Sequence, residues 1–258
     1  MKPTTITLAG IELELFDSAG AGPTLLFLHG MQGFSPDVSF VGKLTEHRRL
    51  VAPSHPGFGR SSLPDWLDQV DDIAHLYLEL IDRLDLARVD LLGHSLGGWI
   101  AAEMATKAPE RFGKLVLVAP VGVKLGPADR LDIPDVFAMS QEELDRRLYH
   151  DPAGARTDPA AMSDDALTKL MRNRETLALL AWEPYLHNPK LPHRLHRITQ
   201  PTLFLHGESD GLVSPDYIEG YASLFPDARV RTIPASGHAP QMEQPEAFVA
   251  LVTEFLHR

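Results

Sequence analysis

The chain has 258 residues, and 24 Lys+Arg against 35 Asp+Glu give it a formal net charge of −11, which excludes a general basic face for nucleic acid or an anionic membrane. Hydrophobic residues at 44% and charged residues at 23% rule out wholesale disorder, and the length suits one large domain or a domain with an insertion. Cysteine is absent, so disulfides, thiol catalysis and thiolate metal sites are excluded together.

The N-terminus opens on an alternating strand pattern rather than the apolar core of a signal peptide, and no apolar run approaches the roughly 18 residues that span a bilayer. A soluble cytoplasmic protein is expected. Residues 6–8 and 11–15 alternate around Ala9-Gly10 and predict a β-hairpin with one wet face. TLLFL at 24–28, residues 50–52, VDLL at 89–92 and LVLV at 115–118 are short, largely continuous apolar runs. Such runs belong to strands buried on both faces of a parallel sheet. Between them, residues 70–86 carry Ile73, Leu76, Leu80, Ile81 and Leu84 at helical spacing, and residues 97–108 form a small, apolar helical stretch. Strands alternating with helices predict an α/β fold with right-handed crossovers.

The alternation breaks after Pro120. Residues 121–196 are rich in Pro, Asp, Arg and His, with helical stretches expected at 141–149 and 164–182 and no strand. The sheet pattern resumes with TLFL at 202–205 and RVRTI at 229–233, and a helix closes the chain at 246–256. One sheet domain, residues 1–120 and 197–258, is thus interrupted by a helical insertion.

Gly93-His94-Ser95-Leu96-Gly97 lies between VDLL and the small-residue helix. This is G-x-S-x-G in the strand–turn–helix setting that its chemistry requires. The turn is sharp enough that side chains two positions either side of the serine would clash, hence glycine at 93 and 97. A serine hydroxyl needs a base, and the base needs an orienting acid. In this architecture the acid and then the histidine follow the serine along the chain. Asp210, just beyond TLFL, and His238, just beyond RVRTI, satisfy that order, and both lie past the carboxyl end of a strand. Glu208 is the competing acid and reads as a solvent-facing or loop-capping residue. The segment Ala119-Pro120-Val121-Gly122 offers no carboxylate. Among the other histidines, His94 flanks the serine but points away from it, and His206 is a loop hydrogen-bonder. His47, His75 and His257 lie on polar helix faces, and His187, His193 and His196 sit in polar parts of the insertion.

Acyl transfer also needs backbone donors at the developing oxyanion. Leu28-His29-Gly30-Met31-Gln32-Gly33 follows TLLFL, so the expected donors are the N–H groups of Met31 and Leu96, with His29 as a loop brace. H-E-x-x-H is absent, and Gly57-Phe58-Gly59 is too short for a dinucleotide fingerprint. No metal and no cofactor is called for.

Taken together, LHGMQGF at 28–34, HPGFGRSS at 55–62, GHSLGG at 93–98, PTLFLHGESDGLVSP at 201–215 and SGHAPQMEQPEAF at 236–248 resemble the α/β-hydrolase superfamily in its form with a helical cap. The resemblance spans essentially the whole chain. It implies an eight-stranded, mostly parallel sheet flanked by helices, a cap over residues 121–196, and a substrate cleft between the two. Haloalkane dehalogenases and epoxide hydrolases carry aspartate where this chain has Ser95. Hydrolases that cleave carbon–carbon bonds in ring-fission products share the serine triad, and many carry Trp directly after the histidine, where this chain has Ala239. Large interfacial lipases usually show more apolar surface and a signal peptide.

The expected activity is therefore hydrolysis of small to medium apolar carboxylic esters through an acyl-enzyme. The alternatives are carbon–carbon hydrolysis of ring-fission diketones and a non-catalytic ligand-binding role. Phe137, Met139, Trp182, Tyr185 and Leu186 are the candidate pocket residues, with packing inside the cap as their competing role. Arg130, Arg146 and Arg172 are candidate cations for the cleft. The partner expected is a small-molecule ester, with neither nucleic acid nor membrane, and the chain is equally compatible with a monomer or a homodimer.

Overall fold

The computed structural model describes residues 1–155 and 159–257. β1 (Pro3–Leu8) and β2 (Ile11–Asp17) pair antiparallel. Their two-residue turn places Ala9 and Gly10 at φ 47° and 79°, the doubly positive geometry that matches the right-handed twist of a hairpin. The remaining strands are β3 (Thr24–Leu28), β4 (Arg49–Pro53), β5 (Val89–His94), β6 (Phe112–Val118), β7 (Thr202–Gly207) and β8 (Ala228–Ile233). They form one eight-stranded sheet in the order β1-β2-β4-β3-β5-β6-β7-β8, parallel from β4 to β8. β4 and β5 flank β3 on opposite sides, so the strand order reverses there, and the loops after β3 and β5 meet where open α/β sheets bind ligands.

Alternate strand residues serve two helical layers. On one face Leu26, Leu28, Leu91, Leu115, Leu117 and Phe204 pack with α2 (Val70–Arg83) and α3 (Leu96–Lys107). On the other, Leu25, Phe27, Leu92, Val116 and Leu205 pack with α1 (Ser39–Thr45) and the C-terminal helix. α2 stops three residues short of the expected 86. Asp85 turns left-handed at φ 52°, and its N–H bonds Asp82 O while the Leu86 N–H reaches back to Ile81 O. That paired arrangement closes a helix whose last carbonyls lack intrahelical donors.

The insertion between β6 and β7 contains α4 (Gln141–Leu148), α5 (Pro152–Ala155) and α6 (Asp164–Ala181). Ser140 and Ser163 cap α4 and α6 through the N–H groups of Glu143 and Ala166. Leu144, Leu148, Leu177 and Leu180 join the same buried cluster as α2 and α3, so among the described residues the insertion packs into the sheet domain's core. α7 (Pro215–Ala222), α8 (Pro240–Glu243) and α9 (Pro245–His257) complete the chain. α1, α7 and α8 were not expected from periodicity; each is eight residues or fewer. Among the described residues no helix is long and apolar enough to cross a membrane.

Candidate active site

The turn from β5 into α3 places Ser95 at φ 53°, ψ −113°, a conformation that costs a non-glycine residue about 1–3 kcal/mol and persists only when its surroundings enforce it. They do so through the main chain. The Ser95 N–H bonds Val118 O at 2.9 Å, and the Ser95 carbonyl accepts from Gly98, Trp99 and Val121. A Cβ on Gly93 would overlap the Gly97 main chain, and one on Gly97 would overlap the Leu28 carbonyl. The glycines expected from the sharpness of the turn are therefore required by backbone contact.

His238 Nε2 lies 2.9 Å from Ser95 Oγ, and His238 Nδ1 lies 2.9 Å from Asp210 Oδ2. The other Asp210 oxygen accepts from the N–H groups of Leu212 and Val213, each at 2.9 Å. A carboxylate only accepts, so Nδ1 of neutral His238 carries the proton and Nε2 is free to accept from the serine hydroxyl. The His238 and Asp210 side chains are 3% and 1% exposed. Glu208 is exposed and caps the loop through the Ala235 N–H. His206 bonds Gly207 O and Thr232 Oγ1.

The main chain of His238 is held as firmly as its ring. Its N–H donates to Leu148 O at 2.7 Å, and its carbonyl accepts from His94 Nε2 at 2.8 Å. His94 thus points away from Ser95, as expected, and braces the neighbouring histidine. Burial, with the adjacent His238 adding to it, pulls the pKa of His94 down to about 3.

Met31 and Leu96 share with Ser95 and His238 the lining of a small enclosed chamber of about 20 Å³. Leu96 opens α3, where the first N–H groups have no intrahelical acceptor and the helix dipole is positive. The loop carrying Met31 is fixed by a buried network. His29 Nδ1 donates to Gly30 O, and His29 Nε2 accepts from the His55 N–H. His55 Nε2 donates to His29 O while its Nδ1 accepts from the Tyr77 hydroxyl. The two imidazoles stack at 3.8 Å. Burial lowers the pKa of His29 to about 4 and that of His55 well below the ordinary value. His29 is the brace expected from the sequence. His55, Tyr77 and the bond from His94 to the His238 carbonyl were missed, because tertiary hydrogen bonds have no sequence period.

Of the five candidate pocket residues, only Leu186 lines the chamber; its other walls are Val121, Ile133, Val136, Leu177 and Leu212. Phe137, Met139, Trp182 and Tyr185 lie elsewhere. Phe137 packs on Trp182 and Tyr185 at ring distances of 5.4 and 6.1 Å, and Trp182 is 56% exposed. The Tyr185 hydroxyl donates to Pro134 O and accepts from the Val136 N–H, which ties this ring cluster to the main chain of the same stretch and leaves Ile133 and Val136 as wall. The expected cleft cations are also placed elsewhere. Arg172 bonds Gly59 O and Ser61 O, Arg146 pairs with Glu142, and Arg130 is exposed.

A second, larger cleft of about 660 Å³ shares no lining residue with the chamber. Gly30, His94 and Ala239, the chain neighbours of Met31, Ser95 and His238, line it together with Phe27, Phe34, Phe40, Tyr149 and Met242. Among the described residues no Lys or Arg lines either cavity, and the carboxylates on the cleft are Asp151 and Glu243. Among the described residues no group of His, Asp and Glu is arranged to hold a metal.

The family model described as alpha/beta hydrolase family matches residues 25–251. The chain is 28% identical to a 2-hydroxy-6-oxo-2,4-heptadienoate hydrolase of Pseudomonas putida, over 97% of this chain and 95% of that protein. It is 30% identical to a pimeloyl-[acyl-carrier protein] methyl ester esterase of Nitrosomonas europaea, over 94% and 98% respectively. A thermophilic esterase structure from Thermogutta terrifontis superposes with a TM-score of 0.79 at 26% identity, covering 100% of this chain and 98% of that one.

Proposed function

The chain belongs to the alpha/beta hydrolase family, and on that premise we propose that it is a serine hydrolase cleaving uncharged, small to medium carboxylic esters through an acyl-enzyme. The observation that carries this reading is the unbroken hydrogen-bond relay from Ser95 through His238 to Asp210, 2.9 Å at each link. His238 takes the Ser95 proton as Oγ attacks the ester carbonyl, and Asp210 holds the imidazolium that forms. The N–H groups of Met31 and Leu96 receive the oxyanion. Collapse of the tetrahedral intermediate expels the alcohol, which takes its proton from His238. A water deprotonated by the same histidine then attacks the acyl-enzyme, and its collapse returns Ser95 and releases the acid. These residues complete the reaction without a metal or cofactor. On this reading residues 121–196 act as the cap, and the 660 Å³ cleft, lined by the chain neighbours of Met31, Ser95 and His238, is the proposed approach for the substrate.

Similarity to the heptadienoate hydrolase favours a second reading, carbon–carbon hydrolysis. That relative's named substrate is a carboxylate, and burying an anion calls for a paired cation or convergent donors. Among the described residues neither cavity is lined by Lys or Arg, and Asp151 and Glu243 stand on the cleft. Esters therefore fit better. The test is turnover of p-nitrophenyl butyrate beside a ring-fission dienoate with a 6-keto group. Ester hydrolysis with little or no dienoate cleavage is expected; dienoate cleavage without ester turnover would transfer the assignment to the second reading.

A further inference from the structure

We infer that Glu243 is a positioning residue for His238, and that the insertion, through residues 147–151, is part of the mount of the base rather than only a cover over it. The inference rests on the proposed role of His238 and extends it to a group outside the serine–histidine–aspartate relay.

Glu243 ends α8, the short helix that follows the histidine. Its Oε2 accepts the Gly237 N–H at 2.6 Å, while Oε1 accepts the N–H groups of His150 at 2.9 Å and Asp151 at 3.3 Å. One carboxylate thus ties the residue before the base to the stretch just beyond α4. Other bonds meet at the same junction. α4 ends in carbonyls without intrahelical donors, and two of them are taken up by the site loops: Arg147 O by the Gly211 N–H at 2.9 Å, and Leu148 O by the His238 N–H at 2.7 Å. His150 Nδ1 bonds Ser209 Oγ at 2.8 Å. Residues 147–151 are therefore bonded both to the loop carrying Asp210 and to the loop carrying His238. A Cβ on Gly237 would collide with the Leu148 carbonyl, so glycine there lets the two segments meet.

The chemistry of the junction requires an anion. Three backbone donors converge on two oxygens, and a charge-assisted bond is stronger than a neutral one. Glutamine has a single acceptor oxygen, so its amide N–H₂ would face either Gly237 N–H or the pair at 150 and 151, donor against donor. Gly237 would then be released, and the His238 ring would lose its register on Ser95 Oγ. An error of about 1 Å in such a group costs on the order of 100-fold in rate.

The experiment compares wild type, Glu243→Gln and Glu243→Asp, with Glu208→Gln as control, since Glu208 caps the same pair of loops through Ala235, a bond that lies outside the insertion. Active sites are counted by fluorophosphonate titration, and p-nitrophenyl butyrate kinetics are expressed per labelled site, beside the Tm. For Glu243→Gln, kcat per site is expected to fall about 10- to 100-fold with KM within about twofold. Glu243→Asp should lie between it and wild type, and Glu208→Gln should match wild type. An unchanged kcat per site in Glu243→Gln would overturn the inference even if Tm or the labelled fraction dropped, as would an equal loss in Glu208→Gln. If Glu243→Gln does not fold, an unchanged kcat per site in Glu243→Asp overturns it instead. A wild type that neither takes the label nor turns over the ester would overturn the proposed function itself, a separate outcome.

Discussion

At the scale of single residues, the site consists of one strained position and one over-determined position. Ser95 is held at φ 53° by main-chain bonds that make no use of its side chain, so Oγ remains available for chemistry. His238 has every polar atom engaged: N–H to Leu148 O, carbonyl from His94, Nδ1 to Asp210 and Nε2 to Ser95. On the proposed reading, the residue next to it sets how much room the substrate has. Ala239 lines the cleft and is 3% exposed, so an indole in its place would project into that space. Ala239→Trp is predicted to cut kcat/KM for p-nitrophenyl hexanoate at least about tenfold more than for the acetate, an effect worth one or two methylenes of pocket contact. Equal loss for the two esters would show that the cleft does not receive the substrate chain.

Among elements, legibility followed the length and regularity of the apolar pattern. TLLFL coincides with β3, and α3 and α6 lie within one residue of their expected spans, because strands buried on both faces and long helices write their burial directly into residue order. α7 went unread although Ser214 caps it and Pro215 opens it; eight residues are too few for a 3.6-residue period to stand out. Asp210 and His238 were legible through chain order and the strand ends they follow. The chamber walls were not, since Val121, Ile133, Leu177 and Leu212 come from distant parts of the chain and converge only when the insertion docks. That docking is polar as well as apolar. On α6, Arg172 binds Gly59 O and Ser61 O, Asn173 bridges Gln32 O and the Gly59 N–H, and Thr176 binds Gly57 O. The sequence shows these side chains but not their partners. For that reason Arg172 reads as a cleft cation when it is a clamp on the loop at 57–61.

Across the whole molecule, three buried histidines make stability depend on pH. His29, His55 and His94 are neutral in the native state, with His29 at about 4, His94 at about 3 and His55 well below the ordinary value, each chiefly through burial. As pH falls below about 6.5 the unfolded chain takes up protons that the folded chain does not, so stability present at neutral pH is lost at up to about 1.4 kcal/mol per pH unit for each histidine. The urea midpoint is predicted to fall between pH 7 and pH 5, with a shallower slope in His29→Gln; a midpoint flat over that range would contradict the neutral network. Buried Glu103, whose pKa burial raises, opposes this trend nearer its own titration range. The central claim, that the relay activates Ser95, is tested most directly by exposing the protein to a fluorophosphonate and measuring intact mass and the modified peptide. The account predicts one adduct per chain, on Ser95, absent in Ser95→Ala and formed on the order of 1,000-fold more slowly in His238→Ala. An unmodified wild type, an adduct on another residue, or His238→Ala labelled at the wild-type rate would contradict it.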